Sequence, residues 1–430
     1  MNTRPTHVAV LGSTGSIGVN ALAVIEASAG RLRAVALSAH SKTELALAQA
    51  IRHEPRWLVI TDEEAAARQD WSSLPENTEL LIGHAALEEL VGSNGATAIR
   101  RRESAPTIGV RRQESGTVDS GKAVLADVVR SAVLDDVSID IVLAAIVGSA
   151  GLRSTWAALQ AGRRVALANK ETLVMAGPLV MDLAAANGVV ILPVDSEHSA
   201  VFQCLQAGRR DELRRIILTA SGGPFRRHSL KELDRVTVDE ALRHPNWSMG
   251  PKITVDSATM MNKALEMIEA RWLFNLRPDQ IDVVVHPQSI VHSMVEFNDG
   301  SVIAQLSPPD MKLPIQYALC YPERFAGAAP RLNLAEPMGL EFEPPDEKRF
   351  PAVRLGREAA EAGGTAGAVL NAANEAAVGC FLAGKLAFSQ IVPACRHTLE
   401  RHTFENYPNL ERLMALDRWA REEVVRWSRN

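Results

Sequence analysis

The 430-residue sequence has few cysteines, few aromatic residues and no long apolar run. Its four cysteines, Cys204, Cys320, Cys380 and Cys395, lie far apart without paired spacing, which indicates buried thiols rather than a zinc site or a disulfide framework. No apolar stretch approaches the roughly 18 residues that a membrane span needs, so no membrane partner is expected. "MNTRPTHVAVLG" enters a strand pattern without a signal or transit leader, and the cytoplasm is the expected compartment.

The chain also lacks an excess of positive charge. Its formal net charge of −5 provides no basic field for nucleic acid, so a phosphate ligand must be met by a local site. One segment, Ser93 to Lys122, is rich in arginine and has no hydrophobic period. Acidic residues interleave with its charge and no aromatic residue could stack on a base, so we interpret it as a surface loop rather than a nucleic-acid arm.

Several short apolar segments alternate with helical patterns in the first half of the chain. They are "HVAVLG", "RAVALSA", "WLVITD", "DIVLAAIVG", "RRVALAN" and "VVILPVD". This alternation predicts an α/β fold that begins with a Rossmann-like, NADP-binding domain over residues 1–194. We expect a central α/β catalytic domain at 195–321 with a partly antiparallel sheet, a Pro-rich connector at 322–350, and a C-terminal α-helical bundle at 351–430.

A glycine-rich turn follows the first strand. Gly12, Gly15 and Gly18 occur where a Rossmann fold places the phosphates of a dinucleotide, at a helix start. The second strand ends in His40-Ser41-Lys42, without the acid that usually holds the ribose of NAD. Ser41 and Lys42 can donate to a 2′-phosphate, which favours NADP, although Glu44 is close by.

A charged tetrapeptide ends the predicted strand "VVILPVD". Asp195 and Glu197 are two residues apart, so on an extended backbone both carboxylates would point to the same side. Glu266 on a later helix can supply a third carboxylate. Three carboxylates form an all-oxygen site that suits Mg²⁺ or Mn²⁺ better than zinc, with Co²⁺ as an alternative.

Possible anion-binding groups surround these acids in the sequence. Ser221 with two glycines ends the strand "RRIILTA", and Ser257 is expected to begin the helix that carries Asn262 and Lys263. "RHPNWSMGP" could be a lid, with Trp247 over the substrate and His244 at an anionic group. Lys170, in "LANKETL", could contact substrate oxygens. Ordinary caps, core packing and surface charges are the alternatives for these residues.

Taken together, GSTGSIG, LANKETL, PVDSEHSA, TASGGPF, HPNWSMGPKITVDSATMMNKALEMIEA and HPQSIVHSMVEFNDGS closely resemble the 1-deoxy-D-xylulose 5-phosphate reductoisomerases of isoprenoid biosynthesis. The resemblance implies a homodimer that uses NADPH and a divalent ion to rearrange and reduce this phosphorylated sugar to 2-C-methyl-D-erythritol 4-phosphate. The rearrangement would proceed by retro-aldol and aldol steps, followed by hydride transfer to an aldehyde.

The resemblance also implies individual site residues. The metal ligands would be Asp195, Glu197 and Glu266, and the catalytic residues would be these three with Lys170 and His244. The substrate-binding residues would be Lys170, Ser196, Glu197, Ser221, His244, Ser257, Asn262, Lys263 and Glu266. The NADPH-binding residues would be Thr14, Gly15, Ser16, Ile17, Asn169, Glu171 and Gly250, in addition to Ser41 and Lys42, which are expected from the end of the second strand and not from the resemblance. Many family members have Gly-Lys-Asn in place of His40-Ser41-Lys42, so the resemblance does not define the contacts with the 2′-phosphate.

Two other functions are compatible with a nucleotide turn. One is another NADP-dependent oxidoreductase, such as a homoserine dehydrogenase or a semialdehyde dehydrogenase. The latter needs a placed cysteine nucleophile, and Cys204 lies in the helix-like stretch "VFQCLQ" without an obvious base. The other is a non-catalytic NADP sensor, which would have no use for three convergent carboxylates.

Overall fold

The computed structural model describes residues 4–93, 137–247 and 249–429. The arginine-rich loop predicted from Ser93 to Lys122 lies outside these residues except for Ser93. Within the described ranges no helix is both long and apolar enough to cross a membrane.

The first part of the chain forms a parallel sheet of seven strands with the order β4-β3-β2-β1-β5-β6-β7. The strands are β1 (Thr6–Leu11), β2 (Leu32–Ala39), β3 (Trp57–Ile60), β4 (Glu79–Ile82), β5 (Ile141–Ala144), β6 (Arg164–Leu167) and β7 (Ile191–Pro193). Their apolar runs are buried because helices cover both faces, as is usual for parallel strands. The predicted Rossmann-like sheet is confirmed. β4 was not predicted, since "ELLI" is short and shows no clear period.

Helices connect these strands and cover the sheet. They are α1 (Ser16–Glu26), α2 (Thr43–His53), α3 (Glu63–Arg68), α4 (His84–Gly92), α5 (Gly151–Gln160), α6 (Lys170–Ala186) and α7 (Ser196–Cys204). α6 bends at Ala176, whose backbone is not helical, two residues before Pro178.

The second part forms a mixed sheet of four strands with the order β11-β10-β8-β9. Its elements are β8 (Leu213–Ala220), α8 (Leu230–Leu233), α9 (Val238–Ala241), α10 (Pro251–Ala258), α11 (Met261–Leu273), β9 (Ile281–Val285), β10 (Val291–Phe297), β11 (Val302–Leu306) and α12 (Lys312–Cys320). β8 and β9 are parallel, whereas β10 is antiparallel to both β8 and β11. Asn298-Asp299-Gly300 connects β10 and β11, so the predicted hairpin and partly antiparallel sheet are confirmed.

The last part of the chain is helical, as predicted. It contains α13 (Ala352–Ala362), α14 (Ala366–Leu382), α15 (Ile391–Arg401) and α16 (Leu410–Trp427). The stretch 322–350 before it has no helix or strand, and a single bridge pairs Glu343 with Val285. One core cluster runs through α11, the central sheet and the C-terminal helices. The residue boundaries between the three parts stay predictions.

Four strands of the parallel sheet end in one row. Leu11, Ala144, Leu167 and Pro193 are aligned across β1, β5, β6 and β7. The loops that follow these residues therefore lie side by side at the carboxyl edge, where open α/β sheets bind ligands.

Candidate active site

The glycine turn after β1 has the geometry of a phosphate-binding loop. Gly12 has a φ of +80°, which a side chain would disfavour, and Gly15 is the N-cap of α1 with no side-chain cap. A Cβ atom on Gly18 would lie 2.4 Å from both the Gly12 carbonyl oxygen and the Ser13 Cα atom. The Gly15 N–H donates to the Gly12 carbonyl oxygen at 3.0 Å, whereas the first N–H groups of α1 itself are available to a ligand. The binding of the nucleotide by Thr14, Gly15, Ser16 and Ile17 stays a prediction.

The end of β2 presents polar side chains to solvent. His40, Ser41 and Lys42 are exposed, and Lys42 is the N-cap of α2. The His40 ring lies 3.0 Å from the Thr61 hydroxyl. The contact of Ser41 and Lys42 with a 2′-phosphate stays a prediction.

The three predicted metal ligands lie together. One carboxylate oxygen from each of Asp195, Glu197 and Glu266 lies within 4.8 Å of the others. The expected extended backbone is wrong, because Asp195 is the N-cap of α7 and Glu197 is in its first turn. Carboxylates suit a helix start because it carries partial positive charge. The helix start of α7 therefore meets the middle of α11, which carries Glu266.

Two lysines contact these acids. The Lys170 ammonium lies 2.7 Å from Asp195 and 3.2 Å from Glu266, and it donates to Asn262 Oδ1 at 2.7 Å. The Lys263 ammonium lies 2.9 Å from Glu197 and 2.5 Å from Glu266. Asn262 Nδ2 also donates to Glu266, and the Ser196 hydroxyl donates to Glu197 at 2.5 Å. Ion pairs and hydrogen bonds thus connect Asp195, Ser196, Glu197 and Glu266 with Lys170, Asn262 and Lys263.

The acids of this cluster outnumber its bases by one. Burial alone would lower the pKa of Lys170, but the charges of Asp195 and Glu266 outweigh it and hold that pKa well above its usual value. Burial would raise the pKa of Asp195, but the charge of Lys170 outweighs burial and lowers that pKa, so Asp195 is ionised. Burial and the nearby charge of Glu266 raise the pKa of Glu197. The repulsion at Glu197 marks the surplus negative charge that a divalent cation would neutralise.

An ion pair behind the cluster was not predicted. The fully buried His198 ring lies 3.2 Å from Glu269 and 3.1 Å from the Glu266 carbonyl oxygen. Burial would lower the pKa of His198, but Glu269 outweighs it and raises that pKa to about 9. Asp195, His198 and Glu269 also satisfy the geometry of a metal group, but the pairing with Glu269 occupies the ring. The sequence spacing could have indicated this pair. His198 follows Asp195, and Glu269 follows Glu266, by three residues, which places each one turn along a helix from a proposed ligand.

A second polar group lies beside the carboxylates. His244 Nε2 lies 3.1 Å from both the Ser221 and the Ser257 hydroxyl oxygens. Its Nδ1 accepts from the backbone N–H groups of Asn246 and Trp247, so the neutral ring carries its proton on Nε2. Burial lowers the pKa of His244 and favours this neutral form.

The prediction that Ser257 begins a helix is wrong. Ser257 is the penultimate residue of α10, and Met260, in a left-handed conformation, is the N-cap of α11. Ser257 instead reaches the site because α10 ends against the loop that follows β8. Gly223 occupies that loop, where a Cβ atom would lie 2.7 Å from the Ser257 carbonyl oxygen.

The remaining predicted nucleotide residues lie at the starts of α6 and α10. Asn169 is the N-cap of α6, and its amide donates to Ile146 O, Gly148 O and the Glu171 carboxylate. Gly250 is the N-cap of α10. Lys252, which was not predicted, lies 3.0 Å from Glu171.

Many of these predicted site residues line one cleft of about 1100 Å³, part of which is open to solvent. Its lining runs from the nucleotide turn to the carboxylates and the serine pair: Ser16, Ile17, Lys170, Asp195, Ser196, Glu197, Ser221, His244, Trp247, Met249, Gly250, Ser257, Asn262, Lys263, His292 and Met311. Trp247 packs edge-on against His292, with ring centroids 6.3 Å apart. Cys204, in contrast, is buried, and burial raises its thiol pKa to about 11, which excludes a cysteine nucleophile there.

Sequence models of one enzyme family match most of this chain. The 1-deoxy-D-xylulose 5-phosphate reductoisomerase model matches residues 8–109 and 104–177, that of its C-terminal domain matches 191–274, and a second C-terminal domain model matches 306–423. The reductoisomerase of Rhodopirellula baltica is 46% identical, over 98% of this chain and 94% of the relative. That of Symbiobacterium thermophilum is 48% identical, over 96% of this chain and 97% of the relative.

Solved structures of the same enzyme are also similar. The Zymomonas mobilis enzyme in complex with NADPH is 38% identical with a TM-score of 0.82, and the match covers 99% of each chain. A DOX-P reductoisomerase in complex with NADPH, fosmidomycin and magnesium is 38% identical with a TM-score of 0.83, over 99% of this chain and 98% of the other.

Proposed function

Because this chain belongs to the 1-deoxy-D-xylulose 5-phosphate reductoisomerase family, we propose that it rearranges 1-deoxy-D-xylulose 5-phosphate and reduces it with NADPH to 2-C-methyl-D-erythritol 4-phosphate. One observation carries this proposal: Asp195, Glu197, two lysines, a serine pair and the first residues of α1 line a single cleft, and the buried Glu266 lies within 4.8 Å of the two carboxylates. A dehydrogenase without a metal would have no need of the carboxylates, and a nucleotide sensor would need only the turn.

The donor set fits a hard divalent cation. We propose that Asp195, Glu197 and Glu266 hold Mg²⁺ or Mn²⁺, which all-oxygen ligands favour over zinc. When bound, the ion would polarise the keto and hydroxyl oxygens of the substrate. Lys170 and Lys263 hold the three acids close together, and their ammonium groups are also available to substrate oxygens.

The serine pair fits the substrate phosphate. Ser221, Ser257 and the Nε2–H group of His244 form a compact set of donors, next to Asn262 and Lys263 in the same cleft. Binding the phosphate there would place the sugar carbons between this set and the carboxylates, which aligns the reacting atoms at the expense of remote binding energy. Trp247 and Met249 line the cleft and could exclude water from it.

The nucleotide would lie along the carboxyl edge of the parallel sheet. We propose that its phosphates bind at Thr14, Gly15, Ser16 and Ile17, and its 2′-phosphate at Ser41 and Lys42. Asn169, Glu171 and Gly250 would line the side that faces the substrate. NADPH supplies the hydride when bound.

We also propose a homodimer in the cytoplasm. β11 is an edge strand of the central sheet, and Val302, Ile303 and Leu306 on it are 49%, 38% and 39% exposed. An exposed apolar edge favours pairing with a second chain.

A direct assay of NADPH oxidation tests the enzymatic proposal. Purified protein is incubated with 1-deoxy-D-xylulose 5-phosphate and NADPH, with EDTA or with added Mg²⁺ or Mn²⁺. We expect NADPH oxidation that requires both the sugar and the ion, and a product of the mass and retention time of 2-C-methyl-D-erythritol 4-phosphate. NADPH binding without turnover under all these conditions would contradict the proposal.

A further inference from the structure

A half-buried lysine joins two helix starts at the side of the cleft. The Lys252 ammonium, on the first turn of α10, lies 3.0 Å from Glu171 on the first turn of α6. It also lies 2.9 Å from Asp256, one turn further along α10. The Glu171 and Asp256 side chains are 5% and 1% exposed and that of Lys252 is 18% exposed, so a half-buried cation lies between two buried carboxylates.

The C-terminal helices complete this polar cluster. Asn374 on α14 donates to Asp256 Oδ1 at 2.8 Å. The neighbouring Glu375 acts on Lys252 through its charge and accepts from Arg421 of α16 at 2.6 Å. Burial would lower the pKa of Lys252, but Asp256, Glu171 and Glu375 outweigh it and raise that pKa.

Arg421, the base of the C-terminal helices next to this cluster, could not replace the lysine. The Arg421 guanidinium already forms two hydrogen bonds with Asp417 and one with Glu375. Without Lys252, the buried Glu171 and Asp256 would therefore lose the cation that they share, which is strongly unfavourable. The two helix starts would have to separate, or water would have to enter between them.

The position of the cluster connects it to the cleft. Glu171 directly follows Lys170, which contacts the carboxylates, and Asp256 directly precedes Ser257. Gly250, two residues before Lys252, lines the cleft together with Ser16 of the nucleotide turn. A shift of α10 relative to α6 would thus move the wall of the cleft that faces the nucleotide turn.

We propose that Lys252 is a positioning residue for the nucleotide, because its ammonium fixes the start of α10 against the start of α6. This inference rests on the proposed function for the identity of the nucleotide. Lys252 acts through Glu171 and Gly250 and does not itself transfer a proton or bind substrate. Its main effect is therefore on the affinity for NADPH, with a smaller effect on the affinity for the phosphorylated sugar.

The test measures NADPH binding directly, by fluorescence, in Lys252→Met, Lys252→Arg and Asp256→Asn. We expect Lys252→Met to raise the NADPH Kd about tenfold or more, the size typical for loss of a group that orients site residues. Lys252→Arg keeps the charge and is expected to stay within about threefold of the wild type. In the turnover assay, Lys252→Met is expected to raise the KM for NADPH more than the KM for the sugar.

Glu423→Gln is the matched control. Glu423 is 7% exposed and pairs with Arg401 and Arg426 in the C-terminal helices, so its substitution breaks ion pairs of a buried carboxylate that does not border the cleft. We expect a lower Tm and an unchanged NADPH Kd. An NADPH Kd within twofold of the wild type in Lys252→Met would overturn the inference, as would equal increases in both KM values.

If Lys252→Met does not fold, Asp256→Asn decides. This variant weakens the hold of Lys252 on α10 and leaves its pair with Glu171, so we expect a several-fold higher NADPH Kd; an unchanged Kd overturns the inference. Wild-type protein that binds NADPH without converting the sugar would refute the proposed function alone, since the Kd comparison needs no turnover.

Discussion

Glu266 differs from the other two carboxylates of the proposed metal site in its burial. Its side chain is completely buried, whereas those of Asp195 and Glu197 are 15% and 18% exposed. It accepts from Lys170, Lys263 and Asn262, which leaves no freedom to turn away from the cluster. A ligand that is fixed before the ion arrives costs little entropy on binding, so Glu266 is expected to determine much of the metal affinity.

Glu266→Gln is therefore expected to abolish metal-dependent turnover and to weaken Mn²⁺ binding by about 100-fold, because the amide removes a charge and a carboxylate oxygen. Calorimetric titration with Mn²⁺ measures the affinity, and NADPH fluorescence is expected to give a nearly unchanged Kd. Glu296→Gln is the control, since Glu296 is 10% exposed and paired with Arg214 and Arg215 in the central sheet. Full turnover in Glu266→Gln would exclude this residue as a ligand.

The burial of His244 predicts how the stability of the protein depends on pH. Burial holds its pKa in the folded protein below the value of about 6.5 expected in the unfolded chain. Above that pH both states carry the neutral ring and the stability is unaffected. As the pH falls through the unfolded value towards the folded one, the unfolded chain takes up the proton first, so the folded state loses stability.

The Tm of the ligand-free protein, measured from pH 8 to pH 5, is therefore expected to fall more steeply in the wild type than in His244→Gln. Below both pKa values, His244 lowers the free energy of unfolding by about 1.4 kcal/mol for each unit by which folding lowers its pKa. The glutamine variant keeps all other histidines, which makes it its own control. Parallel curves for the two proteins would show that His244 does not titrate in this way.

Helix starts supply most of the site at the scale of elements. α1, α6 and α7 begin at the carboxyl edge of the parallel sheet, and α10 begins across the cleft from them. Each start presents free N–H groups and partial positive charge, which suits phosphates and carboxylates. This arrangement explains why short motifs next to strand ends contain most of the candidate residues.

The close approach at α1 can be tested by one methyl group. Gly18→Ala would place a Cβ atom 2.4 Å from the Gly12 carbonyl oxygen, so the nucleotide turn must shift. We expect the NADPH Kd to rise about tenfold or more, since a displacement near 1 Å has effects of this size or larger. Gly379→Ala in α14 is the matched helical control, because nothing lies within 4 Å of its added Cβ atom.

The control variant is expected to gain about 0.5–1 kcal/mol of stability, because alanine is the better helix former, and to bind NADPH normally. Normal NADPH binding by Gly18→Ala would mean that the turn does not hold the nucleotide phosphates.

How far the sequence predicts the structure depends on the element. The period of buried strands and the glycine turn identify the parallel sheet, and the carboxylates after β7 mark its ligand-binding edge. The extended backbone predicted at Asp195 was wrong. β7 has only three residues and a helix begins soon after it, and the sequence pattern does not locate that boundary. Ser257 was misplaced for a related reason, since the left-handed Met260 divides one continuous helical pattern into α10 and α11.

Pairs of residues far apart in the chain could not be predicted. The contacts of Lys170 with Glu266 and of Lys252 with Glu171 span about 80 to 100 residues and depend on how the helices pack. A single lysine in a helical pattern is usually solvated, so neither position signals burial. The residues of the site were thus found largely from motifs, and their connections only from the fold.

At the scale of the whole molecule, the exposed strand β11 distinguishes a monomer from the proposed dimer. Val302→Lys is expected to weaken dimerisation by at least about tenfold, since an interfacial lysine loses hydration without gaining a partner. Val302 is 49% exposed and Val190, just before β7, is 52% exposed, so Val190→Lys is a control matched in residue type and exposure. Sedimentation velocity at several protein concentrations measures the result.

A dimer that persists unchanged in Val302→Lys would place the interface elsewhere, and a monomeric wild type at high concentration would contradict the dimer itself. Since both valines are exposed, neither substitution disturbs the core, and a change confined to Val302→Lys would locate the contact at the edge of the central sheet.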